Sequence, residues 1–181
     1  MTAMWKKNLC AFGLGLIVFL LILQRAPQPQ RTLTVIGESG AVSFNAHRGA
    51  TISTGADGQL TFIMEGIKVE LKENTDVRLD RIFKDDVRLF VSRGQITTTR
   101  SNGDVGDFHA SSDRVRCSAD PGEALTFINY DFQERVSVIP ITGTIEISVN
   151  GVPSMTLRAE DKKYADISEL APYLVTQLQI K

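Results

Sequence analysis

The chain has 181 residues, with 20 lysines and arginines against 21 aspartates and glutamates and a formal net charge of −1. That length suits one ordinary domain with a small appendage. At 43% hydrophobic and 23% charged residues, the composition excludes wholesale disorder, and the neutral balance speaks against a general nucleic-acid binder.

Charge is uneven along the chain. Residues 1–31 hold Lys6, Lys7, Arg25 and Arg31 and no acid, so the remainder carries sixteen bases against twenty-one acids, a net of −5. Leu9 to Leu23 is an unbroken run of apolar residues and glycine. A helix on a soluble core would show a polar face, and this run has none. Asn8 and Gln24 extend it, Lys7 and Arg25 can snorkel to the two interfaces, and Trp5 stands at an interfacial position. The run therefore predicts a transmembrane signal anchor over residues 8–24. The rival is a cleaved signal peptide. A cut after Ala26 would place Gln24, not a small residue, at the −3 position, with Pro27 following.

The basic residues before the run orient residues 1–7 to the cytoplasm. The expectation is a single-pass protein of the inner (cytoplasmic) membrane, its C-terminal body facing the periplasm or cell exterior. Residues 25–31 (Arg-Ala-Pro-Gln-Pro-Gln-Arg) read as an extended Pro/Gln linker.

From Leu33 onward apolar residues recur with period two, the pattern of half-buried strands. Leu33 and Val35, Val42 and Phe44, Leu60, Phe62 and Met64, Ile67, Val69 and Leu71, Val77 and Leu79, and Val87, Leu89 and Val91 all alternate with polar residues. Residues 124–130, 135–139, 143–149 and 155–157 continue in β-branched and aromatic residues. Turns are predicted at Gly37–Gly40, Asp57-Gly58, Glu65-Gly66, Ser92–Gly94, Ser101–Asp104, Asp120–Gly122 and Asn150-Gly151. Asp57-Gly58 and Asn150-Gly151 are the strong hairpin signals. Pro140 and Pro153 should lie at strand ends or on an edge. The prediction is an all-β domain over 32–167, a single β-sandwich, jelly roll or solenoid. Leu170, Leu174 and Leu178, four apart, predict a short amphipathic C-terminal helix over 168–181.

Little in the chain assembles into chemistry. Cys10 and Cys117 cannot build a disulfide framework or a cysteine zinc site, and His47 and His109 are the only histidines. Gly37-Glu38-Ser39-Gly40 lacks the strand–elbow–helix context of a hydrolase serine. His109 and Cys117, eight residues apart, have no third group to orient them. Asn102–Asp107 lacks the distal glutamate of a calcium loop. Asp85-Asp86, flanked by Arg81, Lys84 and Arg88, reads as a solvated charged loop. No catalytic, cofactor-binding or metal-binding residue is predicted, no cofactor is implied, and a small-molecule ligand is left open.

Gly49-Ala-Thr-Ile-Ser-Thr-Gly55 followed by Ala-Asp-Gly-Gln-Leu-Thr-Phe62 resembles the opening of the FecR-like domain family. Residues 67–79 resemble that family's next strand and its "T-x-[L/V]-x-L" element. Residues 88–97 resemble its "L-x-x-G-x-[I/V]" segment, and 137–147 its closing strand pair. The resemblance spans roughly residues 35–165. Cys117–Gly122 stands where the family often has "G-T-x-F". The resemblance implies a membrane-tethered periplasmic β-domain for protein contacts, signalling or scaffolding, with no catalytic residues. Family members that regulate sigma factors carry a sizeable cytoplasmic portion; only seven residues precede Asn8, so direct sigma-factor binding is not expected. The expected partners are a membrane or periplasmic protein, and the lipid bilayer through the anchor.

A short anchor followed by one extended β-domain also resembles LptC-like lipopolysaccharide-transport bridges, which would hold acyl chains in a jelly-roll groove and join neighbours edge to edge. Residues 158–164 and 108–113 are similar to that family's "x-A-x-x-A" turns. A grooved interior would favour lipid transport, and a filled one a protein-binding module.

Overall fold

In a computed structural model the described residues are 30–37, 40–103, 106–130, 135–168 and 175–180. The predicted cytoplasmic N-terminus, the anchor and residues 25–29 of the linker lie outside them; Gln30 and Arg31, predicted as the end of the linker, are instead strand, paired with His47 and Ala46. Among the described residues, no helix is long and apolar enough to cross a membrane.

Fifteen strands follow in chain order: β1 Gln30–Gly37, β2 Gly40–His47, β3 Thr51–Ser53, β4 Leu60–Met64, β5 Ile67–Leu71, β6 Asp76–Phe83, β7 Asp86–Arg100, β8 Asp107–Ser111, β9 Val115–Ala119, β10 Ala124–Tyr130, β11 Arg135–Thr142, β12 Thr144–Val149, β13 Val152–Arg158, β14 Lys163–Ser168 and β15 Val175–Gln179. They build two largely antiparallel arrays that share β7. The first runs β2-β1-β4-β5-β7-β10-β11-β14-β15, and the second β3-β6-β7-β8-β9-β12-β13. One pair is parallel, β7 with β8, in the register Arg88↔His109. The fold is all-β and consistent with a β-sandwich.

The period-two pattern of the sequence is the core. Leu33, Phe62, Val69, Ile96, Phe127 and Val138 point inward from the first array. Val77, Leu79, Leu89, Phe108, Ile145 and Leu157 do so from the second, and all belong to one cluster with at most 1% exposure. Each such side chain contributes roughly 1.5–3 kcal/mol by leaving water.

The shared strand turns a corner at Gly94. Before it, β7 pairs with β6 and β8; from Gly94 onward it pairs with β5 and β10. Gly94 has φ 89°, a conformation that L side chains resist. The predicted turn at Ser92–Gly94 is therefore a bend inside a continuous strand. Glycine's freedom of φ lets the strand change partners without ending. A knot of buried threonines braces the bend. Gln95 N–H donates to Thr75 Oγ1 at 3.0 Å, Thr75 N–H donates to Thr54 Oγ1 at 2.9 Å, and Thr54 Oγ1 donates to the Lys72 carbonyl at 2.5 Å.

Two more expectations need correction. Asp57-Gly58 joins β3 of the second array to β4 of the first, so it is a crossover between arrays and not a hairpin. The predicted helix over 168–181 is replaced, where it is described, by strand. Ser168 ends β14, and Val175–Gln179 pairs with β14 in the register Ile167↔Val175 to Lys163↔Gln179. Val175, Thr176 and Ile180 are β-branched, and the free edge of β14 offers a ladder that no isolated helix can match. Two hairpin turns stand where the sequence places them. Glu65 and Gly66 have φ 49° and 82°, and Asn150 and Gly151 have 52° and 77°, closing tight hairpins. Pro153 lies on the described edge strand β13, at a register shift. Pro140 lies within β11, opposite Leu125 of β10 beside a register shift and beyond the last β11–β14 pair, at Val138.

Candidate functional site

Strand alternation decides where the reactive side chains go. Cys117 on β9 points inward and is fully buried; its Sγ–H donates to the Ala110 carbonyl at 3.5 Å. Burial pushes the thiol up to about 12. His109 on β8 pairs in register with Ser118, the neighbour of Cys117, so imidazole and thiol occupy opposite faces of the second array. They are not a dyad. His47 is exposed at the end of β2. Gly37 and Gly40 form the last pair of the β1–β2 hairpin, a strand–strand setting unlike a nucleophile elbow. Asn102 and Gly103 lie in a turn, and Asp107 opens β8. Among the described residues, no group of three or more His, Cys, Asp or Glu is placed to hold a metal.

Sequence reading missed the outer face of the second array. Registers align two rows across it. Arg81, Arg88, His109, Ser118 and Glu146 form one; Arg78, Phe90, Ser111, Arg116 and Ser148 form the other. Asp86 is not a solvated loop residue. It opens β7, and Arg88 donates to both its oxygens at 2.9 and 3.0 Å while Arg81 donates to Oδ2. Burial raises the Asp86 pKa, but the bonds from Arg88 and Arg81 outweigh it and hold the carboxyl below its ordinary value. Arg78 pairs with Asp80 at 2.6 Å and lies over the Phe90 ring, 4.4 Å from its centroid. Among the described residues, His109 Nδ1 has no hydrogen-bond partner. Burial, then the charges of Arg88 and Arg116, lower its pKa. No local motif announces this face, because Arg88 and His109 meet through a parallel pair and Arg116 arrives from the next hairpin.

Surfaces suited to protein contact are also present. Among the described residues, β2 and β15 end the first array and β3 and β13 end the second, each paired on one side only. Val152 on β13 is 63% exposed, and Ile141 on β11 47%. Asp57 and Asn102 are exposed in turns. Arg100, by contrast, is 3% exposed and donates to the carbonyls of Ala119 and Gly106, tying the end of β7 to the end of β9.

No protein-family model matches the chain, and no curated protein sequence does. Two crystal structures of a putative anti-sigma factor from Parabacteroides distasonis, at 2.50 and 1.65 Å resolution, are similar in fold. Each has a TM-score of 0.62 at 14% sequence identity and covers 73% of this chain. The chain spans 60% of the length of each.

Proposed function

We propose that this chain is a non-catalytic, membrane-anchored β-domain outside the cytoplasm, working through protein contacts in envelope signalling or scaffolding. The observation that carries the reading is the interior, which among the described residues is packed with apolar side chains in one cluster. Phe62, Phe108, Phe127 and their neighbours occupy the space between the two arrays, where a lipid carrier needs room for acyl chains. Polar faces and strands paired on one side are left as the working surfaces. The FecR-like resemblance belongs to the same proposal, and the shared fold with a protein described as an anti-sigma factor supports envelope signalling as the setting. With Gln30 and Arg31 taken into β1, the linker is left with residues 25–29 and reaches only about 15 Å at roughly 3.1 Å per residue, so the partner is a membrane or near-membrane protein.

The test places a photo-crosslinking residue at Val152 on the β13 edge and, separately, at Phe127 in the core, in the full chain in cells. The proposal expects protein adducts from Val152 and none from Phe127. Lipid adducts from Phe127 would transfer the assignment to the lipid-transport reading.

A further inference from the structure

We infer that the arginine-lined depression on the outer face of the second array is a binding site for a phosphoryl group. Arg48, Arg78, Arg81, Arg88 and Arg116 line one concave space of about 530 Å³, together with Asp80 and Ser111. These are five of the ten arginines that follow Arg31, and no lysine joins them. Arginine's planar fork grips phosphate oxygens two at a time, which a lysine ammonium cannot do.

The arginines are gathered by the fold. Arg78 and Arg81 come from β6, Arg88 from β7, Arg116 from β9 and Arg48 from the turn after β2. Arg78 and Arg116 stand three strands apart in one row, about 14 Å at the usual strand spacing, a gap that two long side chains can close around an anion.

A solvated charged face would pair these groups off, and this one does so only in part. Asp80 binds Arg78, and Asp86 binds Arg81 and Arg88. Asp113 acts on Arg78 from the adjoining depression. Among the described residues, no carboxylate pairs with Arg48 or Arg116. Five guanidinium groups against three carboxylates leave a surplus of two positive charges, on a body whose net charge is −5. Arg78 is already held by Asp80 and Phe90, so its stem needs little ordering on binding.

The phosphoryl group has two possible sources, a soluble phosphorylated ligand or a phospholipid headgroup. The depression lies near the end where the chain joins the body, since Gln30 pairs with His47 directly before Arg48. This inference does not depend on the function proposed above.

The experiment is calorimetric titration of the full chain, in neutral-detergent micelles, with pyrophosphate at fixed ionic strength. The expected result is saturable binding that weakens at least about tenfold in the Arg48→Gln/Arg116→Gln double variant and is unchanged in Arg158→Gln, outside the depression. Asp80→Asn, which frees Arg78, should tighten it. No saturable binding, or binding indifferent to the double substitution, overturns the site. Phosphatidylglycerol added to the micelles separates the sources. Competition with pyrophosphate through the same arginines supports a headgroup site, and undisturbed pyrophosphate binding supports a soluble ligand.

Discussion

Gly94 and Thr75 touch so closely that only glycine fits: a Cβ at Gly94 would lie 2.5 Å from Thr75 Cα and 2.8 Å from the Asn74 carbonyl. Gly94→Ala combines that clash with a positive φ, and should cost about 3 kcal/mol or more. Thr75→Val keeps the shape but strands Gln95 N–H, and should cost about 1–3 kcal/mol. Urea unfolding followed by circular dichroism measures both. A Gly94→Ala midpoint equal to that of wild type would mean that the corner is not under this constraint.

The Cys117 thiol should resist alkylation in the folded state and react once urea unfolds the domain. Peptide mass spectrometry can follow it separately from Cys10. Because the folded pKa stands near 12 against 9.0 for the free thiol, its stabilisation is full below about pH 9 and drains as pH climbs from there toward 12. Cys117→Ala should remove this component of alkaline destabilisation. Cys117→Ser buries a hydroxyl and should cost about 1 kcal/mol or more.

Asp86→Asn should lower stability near neutral pH by about 1 kcal/mol, since two arginines lose a shared carboxylate on a partly exposed face. The folded carboxyl titrates below its ordinary 3.8, so its contribution is present above that value and lost as pH falls through the lower one. Wild-type and variant thermal midpoints should converge in acid. A gap that persists at pH 2 would place the effect in packing instead of charge.

His109 should titrate below 6.5 in an NMR pH series, because burial and the arginine charges oppose its protonation. The unfolded chain takes up that proton first, so folding stability should fall as pH drops below 6.5. His109→Gln should remove this step from the stability–pH curve and leave the fold intact. A titration above 6.5 would show instead that a carboxylate dominates the ring's surroundings.

The strands were legible wherever one face is wet. Val77 and Leu79, or Ile67, Val69 and Leu71, announce themselves by alternation, and the Glu65-Gly66 and Asn150-Gly151 hairpins by turn chemistry. What stayed hidden depends on non-local pairing. Gly94 looks like a turn residue because sequence shows its φ freedom but not the second array waiting beyond it. Leu178 looks helical until Tyr164 is seen across from it in β14. The arginine face was unreadable for the same reason. Its rows are built from Arg78, Arg88 and Arg116, brought into line by a parallel pair and a hairpin that no local pattern specifies.

The continuity of β7 has a consequence for how the molecule comes apart. The two halves of β7 serve different arrays but meet at Gly94 and pack on one apolar cluster, so neither array should dissolve while the other persists. Opening should be all-or-none across the body, without separable halves. In native-state hydrogen exchange, the amides of Val91 and Ile96, on either side of the corner, should therefore open with one shared free energy, equal to that of global unfolding.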